Sequence, residues 1–228
     1  MKFFLDTASL DQIRYWSENG LVDGVTTNPA LLAREGVDAL SQLSAIAELV
    51  SGPVSAQVTV SDAGGMVRQG ERLAAIAHNV VVKLPATVSG LESARHLRKR
   101  GVSVNVTLGF DASQSIAFAR VPVEYFSLVI GRVEDFGSDS LEQIAEARAL
   151  IDNMGSPTEL LVASIRNPIH LRAAIVSGAD IVTVPPATWT NLFANPNTLQ
   201  GLSDFSAAWS TLDEGLRDDY ESLAVESD

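Results

Sequence analysis

Hydrophobic residues occur along the chain in short runs that alternate with longer amphipathic segments at a nearly constant interval. The runs are rich in β-branched residues, which is typical of strands that are buried on both faces. Eight strands are predicted, at Lys2–Asp6, Gly24–Thr27, Val54–Thr59, Val80–Leu84, Val102–Leu108, Tyr125–Ile130, Leu160–Ser164 and Ile181–Val184. Dividing the 228 residues among eight units gives about 28 residues each, the size of one strand with its helix.

Helix start and stop signals frame the segments between these runs. Asp, Ser or Asn precedes most of them and Gly follows, as expected for helix caps. The predicted helices extend from Leu10 to Asn19, from Asp62 through Ala77, from Ser89 to Gly101, from Ser140 to about Gly155, and from Asn167 to Gly178. Regular alternation of eight strands with helices predicts an α/β fold of the (β/α)8 barrel type. An open doubly wound sheet is disfavoured because no Gly-rich turn follows the first strand.

The C-terminal part carries one more amphipathic pattern. Its apolar residues are spaced for one helix face, at Leu199, Leu202, Phe205, Trp209 and Leu212. We expect a single barrel domain over residues 1–228, with residues 197–228 as a C-terminal helical extension. The additional helix is predicted to pack on its own barrel or on a neighbouring subunit.

Composition and charge narrow the function classes. The formal net charge is −12, and a field of that sign repels nucleic acid and anionic lipid, so we expect no nucleic-acid partner and no membrane partner. Cysteine is absent, which excludes disulfides, thiolate nucleophiles and thiolate metal sites. The N-terminus lacks the apolar segment of a signal peptide and no stretch approaches the ~18 apolar residues of a membrane span. A cytoplasmic location is therefore expected.

The histidines offer no metal or triad chemistry. His78, His96 and His170 are the only three, and all fall in segments predicted to be helical. This distribution supports neither a metal cluster nor a Ser-His-Asp arrangement. We expect no metal and no cofactor.

Polar residues close seven of the eight apolar runs. In a (β/α)8 barrel the C-terminal ends of the strands meet at one face, where the chemistry takes place. The polar residues at these ends are Asp6, Thr26, Asn28, Gln57, Thr59, Lys83, Asn105, Thr107, Ser127, Arg132, Ser164 and Arg166.

Lys83 is one of only three lysines and the only one inside an apolar run. Burying an ammonium there is costly unless it is paired with an acid or kept neutral. A neutral amine can attack a ketone, lose water and form an imine, which lets the neighbouring carbon–carbon bond break to an enamine. Desolvation and nearby Arg132 and Arg166 would both lower the lysine pKa. Residue type alone supports equally an alternative in which Lys83 reaches solvent or pairs with Asp6.

Asp6 is the only acid among these strand-end residues, which makes it the candidate base for the departing carbinol proton. Its alternative role is a cap for the helix that begins at Leu10. Arg132 and Arg166 offer planar donor forks for a phosphate or similar anion, and their alternative is solvated surface charge.

The neutral polar residues at the strand ends are Gln57, Asn105, Thr107 and Ser127. They could hold a water or the hydroxyls of a sugar. Each alone is more often a buried group whose hydrogen bonds are satisfied within the protein.

The chain closely resembles the transaldolase and fructose-6-phosphate aldolase family, and specifically its short branch. The motifs that carry the resemblance are Phe4-Leu5-Asp6-Thr7, Gly24-Val25-Thr26-Thr27-Asn28-Pro29, Val81-Val82-Lys83-Leu84-Pro85, Asn105-Val106-Thr107-Leu108, Gly131-Arg132 and Ala163-Ser164-Ile165-Arg166. They stand in family order with family-like spacing and span most of the chain. Together they are highly specific, although none alone would be.

The resemblance implies a role for each residue. Lys83 is the Schiff-base lysine and Asp6 the acid/base for the bond broken. Gln57 and Thr107 hold the water that shuttles protons. Thr26 and Asn28 contact the dihydroxyacetone unit. The substrate phosphate is bound by Arg132, Ser164 and Arg166. Asn105, Ser127 and Val129 complete the predicted substrate-binding set.

Four positions bear on the choice between the two branches. Transaldolases usually carry glutamate at the position of Gln57, whereas the aldolase branch carries glutamine. Asn105 and Ser127 instead resemble the transaldolase pattern. At Val129 the aldolase branch has tyrosine and transaldolases usually phenylalanine, so the chain matches neither, and valine cannot act as tyrosine's acid. We favour transfer, and valine predicts a larger cavity beside the lysine and an unusual donor or acceptor.

The leading hypothesis is a transaldolase that moves a dihydroxyacetone unit from a ketose phosphate, such as fructose 6-phosphate, to an aldehyde acceptor. Alternatives in the same class are an aldolase that releases free dihydroxyacetone and a variant for a non-phosphate anionic sugar such as a sulfonate. Two other classes stay open, namely a barrel that binds sugar phosphates without turnover and an isomerase that uses Asp6 as base. We expect a homo-oligomer, with a decamer among the candidate assemblies.

Overall fold

The computed structural model describes residues 1–135 and 140–224, and within them eight parallel strands form a closed barrel. The strands are β1 (Lys2–Asp6), β2 (Gly24–Thr26), β3 (Val54–Gln57), β4 (Val80–Pro85), β5 (Val104–Gly109), β6 (Tyr125–Val129), β7 (Glu159–Ala163) and β8 (Ile181–Val184). Each strand pairs with its neighbours in the chain, and β8 closes the barrel against β1. The predicted (β/α)8 barrel is confirmed.

Helices follow every strand of the barrel in the described residues. They are α1 (Leu10–Glu18), α2 (Pro29–Glu35), α3 (Ala39–Leu49), α4 (Ala63–Ala74), α5 (Val88–Lys99), α6 (Ser115–Arg120), α7 (Ile130–Asp135), α8 (Ser140–Asn153), α9 (Pro168–Val176), α10 (Pro186–Phe193), α11 (Pro196–Trp209) and α12 (Glu214–Glu221). Single turns of 3-10 helix occupy Ala112–Gln114 and Ser222–Ala224. Helix α11 and the short α12 together form the additional C-terminal helical part.

Two local predictions were wrong in detail. Helix α5 is capped by Thr87, whose backbone is extended and whose hydroxyl accepts a hydrogen bond from Gly90 N at 3.1 Å, so Ser89 lies inside the helix. His78 lies in the turn before β4 and not in a helix, because α4 ends at Ala74. For α5 the sequence offers two capping residues, Thr87 and Ser89, and the helix begins after the first of them. Differences of a few residues at helix ends are common.

The interior of the barrel is layered by the two-residue period of its strands. An apolar layer crosses the barrel, formed by Phe4, Val81, Tyr125, Leu161 and Ile181. The residue two positions further along each of these strands points to the same side, toward the C-terminal mouth. The layer above the apolar floor therefore contains Asp6, Lys83, Ser127, Ala163 and Thr183.

Gly24 makes room for this floor. A Cβ atom there would lie 2.7 Å from the Phe4 ring and 2.8 Å from the Pro53 carbonyl oxygen. Only glycine lets β2 approach β1 with the Phe4 ring between them. The parallel register of β1 and β2 then pairs Thr26, two residues later, with Asp6.

The chain divides into two compact units, residues 1–189 and 190–228. In the second unit, the rings of Trp209 and Tyr220 lie 5.1 Å apart and Trp209 Nε1 donates to Glu221 Oε1 at 2.8 Å. Side chains of the predicted apolar stripe, such as Leu199 and Phe205, are exposed. Residues 225–228 of the expected extension lie outside the described residues, and oligomerisation stays a prediction. None of the described helices has both the length and the apolar character needed to cross a membrane.

Candidate active site

The C-terminal mouth of the barrel holds a cavity of about 860 Å³. Eleven of the twelve predicted site residues line it, namely Asp6, Thr26, Asn28, Gln57, Lys83, Asn105, Thr107, Ser127, Val129, Arg132 and Ser164. Arg166 is the exception. Its Nε lies 2.7 Å from where a Cβ on Gly131 would stand, so its guanidinium lies beside α7 and outside the cavity lining.

Lys83 lies near the C-terminal end of β4 with only 8% of its surface exposed. Its register neighbours are Gln57 on β3 and Asn105 on β5. Its Nζ donates a hydrogen bond to the Thr27 carbonyl oxygen at 2.8 Å, and no described carboxylate forms an ion pair with it within 4.0 Å. The lysine is therefore largely buried and forms no salt bridge with Asp6.

Burial decides the charge state of this amine. Desolvation lowers the pKa of Lys83 below its ordinary value, because water that would stabilise the ammonium is excluded, while the negative charge of Asp6 opposes the shift. A lowered pKa increases the fraction of unprotonated, nucleophilic amine near neutral pH. The geometry and the charge state together suit imine formation.

Asp6 ends β1 and faces the cavity. Helix α1 is capped by Ser9, whose Oγ accepts from Gln12 N, so Asp6 is not its cap. Asp6 Oδ1 accepts a hydrogen bond from Thr26 Oγ1 at 2.8 Å, and within the described part of the chain Oδ2 has no hydrogen-bond partner. Burial raises the pKa of the Asp6 carboxyl, against the lowering effects of the Lys83 charge and the Thr26 hydrogen bond. A desolvated carboxylate with one unoccupied oxygen is a suitable proton acceptor.

Asn105 is held by two serines. Its Nδ2 donates to Ser55 Oγ at 3.0 Å, and its Oδ1 accepts from Ser127 Oγ at 2.7 Å. All three side chains are buried, so the pair of contacts fixes which end of the amide faces which neighbour. Asn105 and Ser127 thus satisfy each other, as such groups usually do.

Gln57 and Thr107 differ from Asn105 and Ser127 in their hydrogen bonding. Both line the cavity, and neither side chain forms a hydrogen bond with any residue that the structure describes. Asn28 is intermediate, because its Oδ1 accepts from Leu31 N at 3.0 Å as the cap of α2. These polar atoms remain for a substrate or a water molecule.

Backbone strain is concentrated at the cavity. The non-glycine residues with positive φ among those described are Leu108 (φ 61°) and Ser164 (φ 65°), and both line the cavity. Such conformations cost of the order of 1 kcal/mol or more and tend to cluster at binding sites. Gly131 lets the strained Ser164 approach, because a Cβ at residue 131 would lie 2.5 Å from the Ser164 carbonyl oxygen.

Several residues of this site were not predicted from the sequence. Thr183 lies in β8 and lines the cavity, although no strand-end residue of β8 was predicted. The rule applied to the other strands, a polar residue in the C-terminal half of an apolar run, would have found it. Arg34 also lines the cavity, although it belongs to helix α2 and not to a strand end. Ser55 lies beneath the site and carried no such signal.

Comparison with known proteins gives one consistent result. The family model described as Transaldolase/Fructose-6-phosphate aldolase matches residues 3–226. A protein of Chelativorans sp. named "Probable transaldolase" is 45% identical over 210 residues, which cover 92% of this chain and 97% of that protein. A Rhodospirillum centenum protein with the same name is 46% identical, covering 95% of this chain and 94% of its own. One of Lactiplantibacillus plantarum, again "Probable transaldolase", is 42% identical over 92% of this chain and 96% of its own length.

Proposed function

The chain belongs to the transaldolase/fructose-6-phosphate aldolase family, and we propose that it is a lysine-dependent transaldolase that moves a dihydroxyacetone unit from an anionic ketose to an aldehyde. The observation that carries this proposal is the Lys83 amine, which is buried at the cavity with no carboxylate of the described residues in ion-pair range. A buried lysine that only stabilised the fold would need such a partner. An amine kept ready for attack on a carbonyl does not.

The proposed reaction begins when the Lys83 amine adds to the ketose carbonyl and loses water. Asp6 Oδ2 then takes the proton of the carbinol next to the bond that breaks, and the electrons of that bond pass into the iminium to give an enamine. The aldehyde half leaves, and the enamine carbon attacks the acceptor aldehyde, whose oxygen takes the proton back from Asp6 to become a hydroxyl. Water then hydrolyses the resulting iminium, which releases the product ketose and restores the Lys83 amine. Gln57 and Thr107 are proposed to hold the water that carries protons during imine formation, because both line the cavity and no described residue hydrogen-bonds their side chains.

Binding is assigned to the rest of the predicted set. Asn28, Thr26 and Asn105 would contact the dihydroxyacetone unit, since they lie around Lys83 in the cavity wall. Arg132 and Ser164 would hold the anion at the other side of the mouth. Arg166 joins them only if its guanidinium turns from its position beside Gly131 into the cavity.

The proposal is tested by trapping the imine. The protein is incubated with fructose 6-phosphate, reduced with borohydride and examined by intact-mass spectrometry, while free dihydroxyacetone is assayed in the supernatant. A reduced three-carbon adduct with little free dihydroxyacetone supports a transferase. The adduct with accumulating dihydroxyacetone identifies the aldolase alternative that Gln57 favours. If no anionic ketose gives an adduct, the remaining alternatives are a barrel that binds sugar phosphates without turnover and an isomerase.

Val129 is expected to influence the choice between transfer and release. It is buried at the end of β6 and lines the cavity. We expect Val129→Tyr to raise the ratio of free dihydroxyacetone to transfer product by about tenfold, because a phenol could protonate the enamine. Val129→Phe adds similar volume without a hydroxyl and serves as the matched control.

The comparison of the two variants separates volume from acidity. If both change the ratio equally, the lost space and not the hydroxyl is responsible. If neither changes the ratio or the substrate range, Val129 has no part in specificity. Product ratios are measured by coupled assays with and without an aldehyde acceptor.

Arg132 is expected to provide the main contact to the substrate anion. Arg132 and Arg34 are cations of the same cavity wall, but they follow β6 and β2, which lie opposite each other in the closed barrel. We expect Arg132→Gln to raise KM for a ketose phosphate by at least about tenfold, the loss for one charge-assisted hydrogen bond. Arg34→Gln removes the same charge from the opposite side and should change KM by less than about threefold.

The same pair of variants tests for a general field effect. Equal increases in KM that disappear at high salt would mean that the arginines act only through the overall charge of the mouth. A sulfonate analogue assayed beside the phosphate shows which anion the Arg132 side prefers. Steady-state kinetics at two salt concentrations suffices for both questions.

A further inference from the structure

Thr183 belongs to a chain of hydrogen bonds that ends on Asp6. Thr26 Oγ1 lies 2.8 Å from Asp6 Oδ1 and 2.6 Å from Thr183 Oγ1. Asp6 is on β1, and the two threonines come from its neighbours on either side, β2 and β8. Thr183 is 2% exposed and lines the cavity, so its hydroxyl lies within the site and not at the surface.

The number of available hydrogens determines the direction of donation along these hydrogen bonds. Each threonine hydroxyl has one hydrogen, and an ionised carboxylate can only accept. When Asp6 is ionised, the Thr26 hydrogen is used on Oδ1, so the short contact between the threonines requires Thr183 to donate to Thr26. The order is therefore Thr183 to Thr26 to Asp6 Oδ1.

This order has a consequence for the other carboxylate oxygen. Thr26 occupies Oδ1 and stays in that orientation because Thr183 satisfies its lone pair, so Oδ2 is left facing the cavity without a partner among the described residues. A donor whose own oxygen accepts a hydrogen bond is also a better donor. Without the Thr183 hydroxyl, the Thr26 oxygen would lose a buried partner and its hydrogen would be free to rotate away from Asp6.

We propose that Thr183 is a positioning residue that acts through Thr26 to orient Asp6 for proton transfer at Oδ2. The inference rests on the proposed function of Asp6 as the base. It adds a residue of the eighth strand to a site that otherwise draws its predicted residues from the other seven. The charge that acts on Asp6 is that of Lys83 on β4, and the other charged side chains that line the cavity are Arg34 and Arg132.

The test uses variants that separate the hydroxyl from its volume. Thr183→Val keeps the shape and removes the hydroxyl, Thr183→Ala is a second hydroxyl-free variant, and Thr183→Ser keeps the hydroxyl. We expect Thr183→Val to lower kcat about tenfold, the effect of one buried hydrogen bond, with KM and the borohydride adduct unchanged. The acid limb of the kcat–pH profile should move to higher pH, because the carboxylate loses part of its support. Thr183→Ser should restore both.

A readout without turnover keeps this inference separate from the proposed function. Carbon-13 NMR of aspartate-labelled protein, with the Asp6 signal assigned by Asp6→Asn, follows the carboxyl titration directly. A rise in the pKa of Asp6 in Thr183→Val and Thr183→Ala but not in Thr183→Ser supports the positioning role even if no ketose is turned over. An unchanged titration, or equal loss of activity and melting temperature in all three variants, would show that Thr183 only fills the barrel.

Discussion

Lys83→Met is expected to lower kcat/KM for transfer by about 10⁴-fold or more, to the level of the background reaction. Methionine matches the length and burial of lysine but has no nucleophile, so neither the imine nor the enamine can form. The borohydride adduct should disappear with the activity. Lys83 lies at the cavity with its amine held by the Thr27 carbonyl oxygen, and no other lysine lines that cavity.

Because the chain has few lysines, the position of the borohydride adduct can be assigned without ambiguity. The other lysines are Lys2 and Lys99. Lys2 pairs with Glu159, and Lys99 is exposed on α5, so Lys99→Met is a matched control that should keep full activity and the adduct. Peptide mapping then assigns the reduced adduct to one of three positions. An adduct that persists in Lys83→Met would refute the proposed role of this lysine.

The fold should survive this substitution. The pKa of Lys83 is lowered from 10.5, so the folded state disfavours the ammonium. Between the folded pKa and 10.5 the unfolded chain binds the extra proton, and stability contributed at this site rises with pH over that window. The destabilisation that results from burying Lys83 is therefore fully present at pH values below the folded-state pKa of this lysine. At neutral pH we expect Lys83→Met to be at least as stable as wild type in urea unfolding, so lost activity would not reflect lost structure.

The barrel could be predicted from the sequence because one signal is repeated eight times. A buried parallel strand needs apolar residues on both faces, and each apolar run was long enough to be recognised. The start of a helix was harder to predict where two residues could each serve as its N-cap, as Thr87 and Ser89 could for α5. The choice between them depends on where the strand before them ends, which is a tertiary property.

The site could be predicted in the same way, although its hydrogen bonds could not. Polar residues at the ends of parallel strands must converge in a closed barrel, so Asp6 and Lys83 were brought to one cavity as expected. Partners such as Ser55 and Thr183 come from strands whose register was unknown. The position of the Arg166 side chain could not be predicted either. Arg166 is close to Ser164 in sequence, but its long side chain lies beside Gly131.

The arrangement around Lys83 suggests how one site could favour transfer over release. Release requires a proton on the enamine carbon, whereas transfer requires that carbon to meet an aldehyde. Valine at residue 129 supplies no proton and leaves space at the end of β6. Asn105 is fixed in orientation by Ser55 and Ser127 and would hold the enamine unit in place. An ordered wall that supplies no proton to the enamine carbon is the condition for transfer.

Asp6→Asn is expected to separate imine formation from bond cleavage. The amide has the shape of the carboxyl, and its oxygen can still accept from Thr26, but it cannot take up a proton at neutral pH. We expect the rate of cleavage to fall by about 10³-fold, within the range for loss of a general base, while the ketose still forms its adduct on Lys83. Single-turnover release of the aldehyde half measures cleavage, and borohydride trapping measures the imine.

The matched control for this variant is Asp11→Asn on α1, whose carboxylate is largely exposed and pairs only weakly with Arg14. It changes the net charge equally and should leave both rates unchanged. In wild type the cleavage rate should rise with pH through the pKa of Asp6, which burial places above the ordinary value of 3.8, and this limb should be missing in Asp6→Asn. Normal cleavage in Asp6→Asn would assign the base to another group, and loss of the adduct would mean that Asp6 serves Lys83 instead. Because the two rates are measured on one protein, the roles of Lys83 and Asp6 are resolved independently.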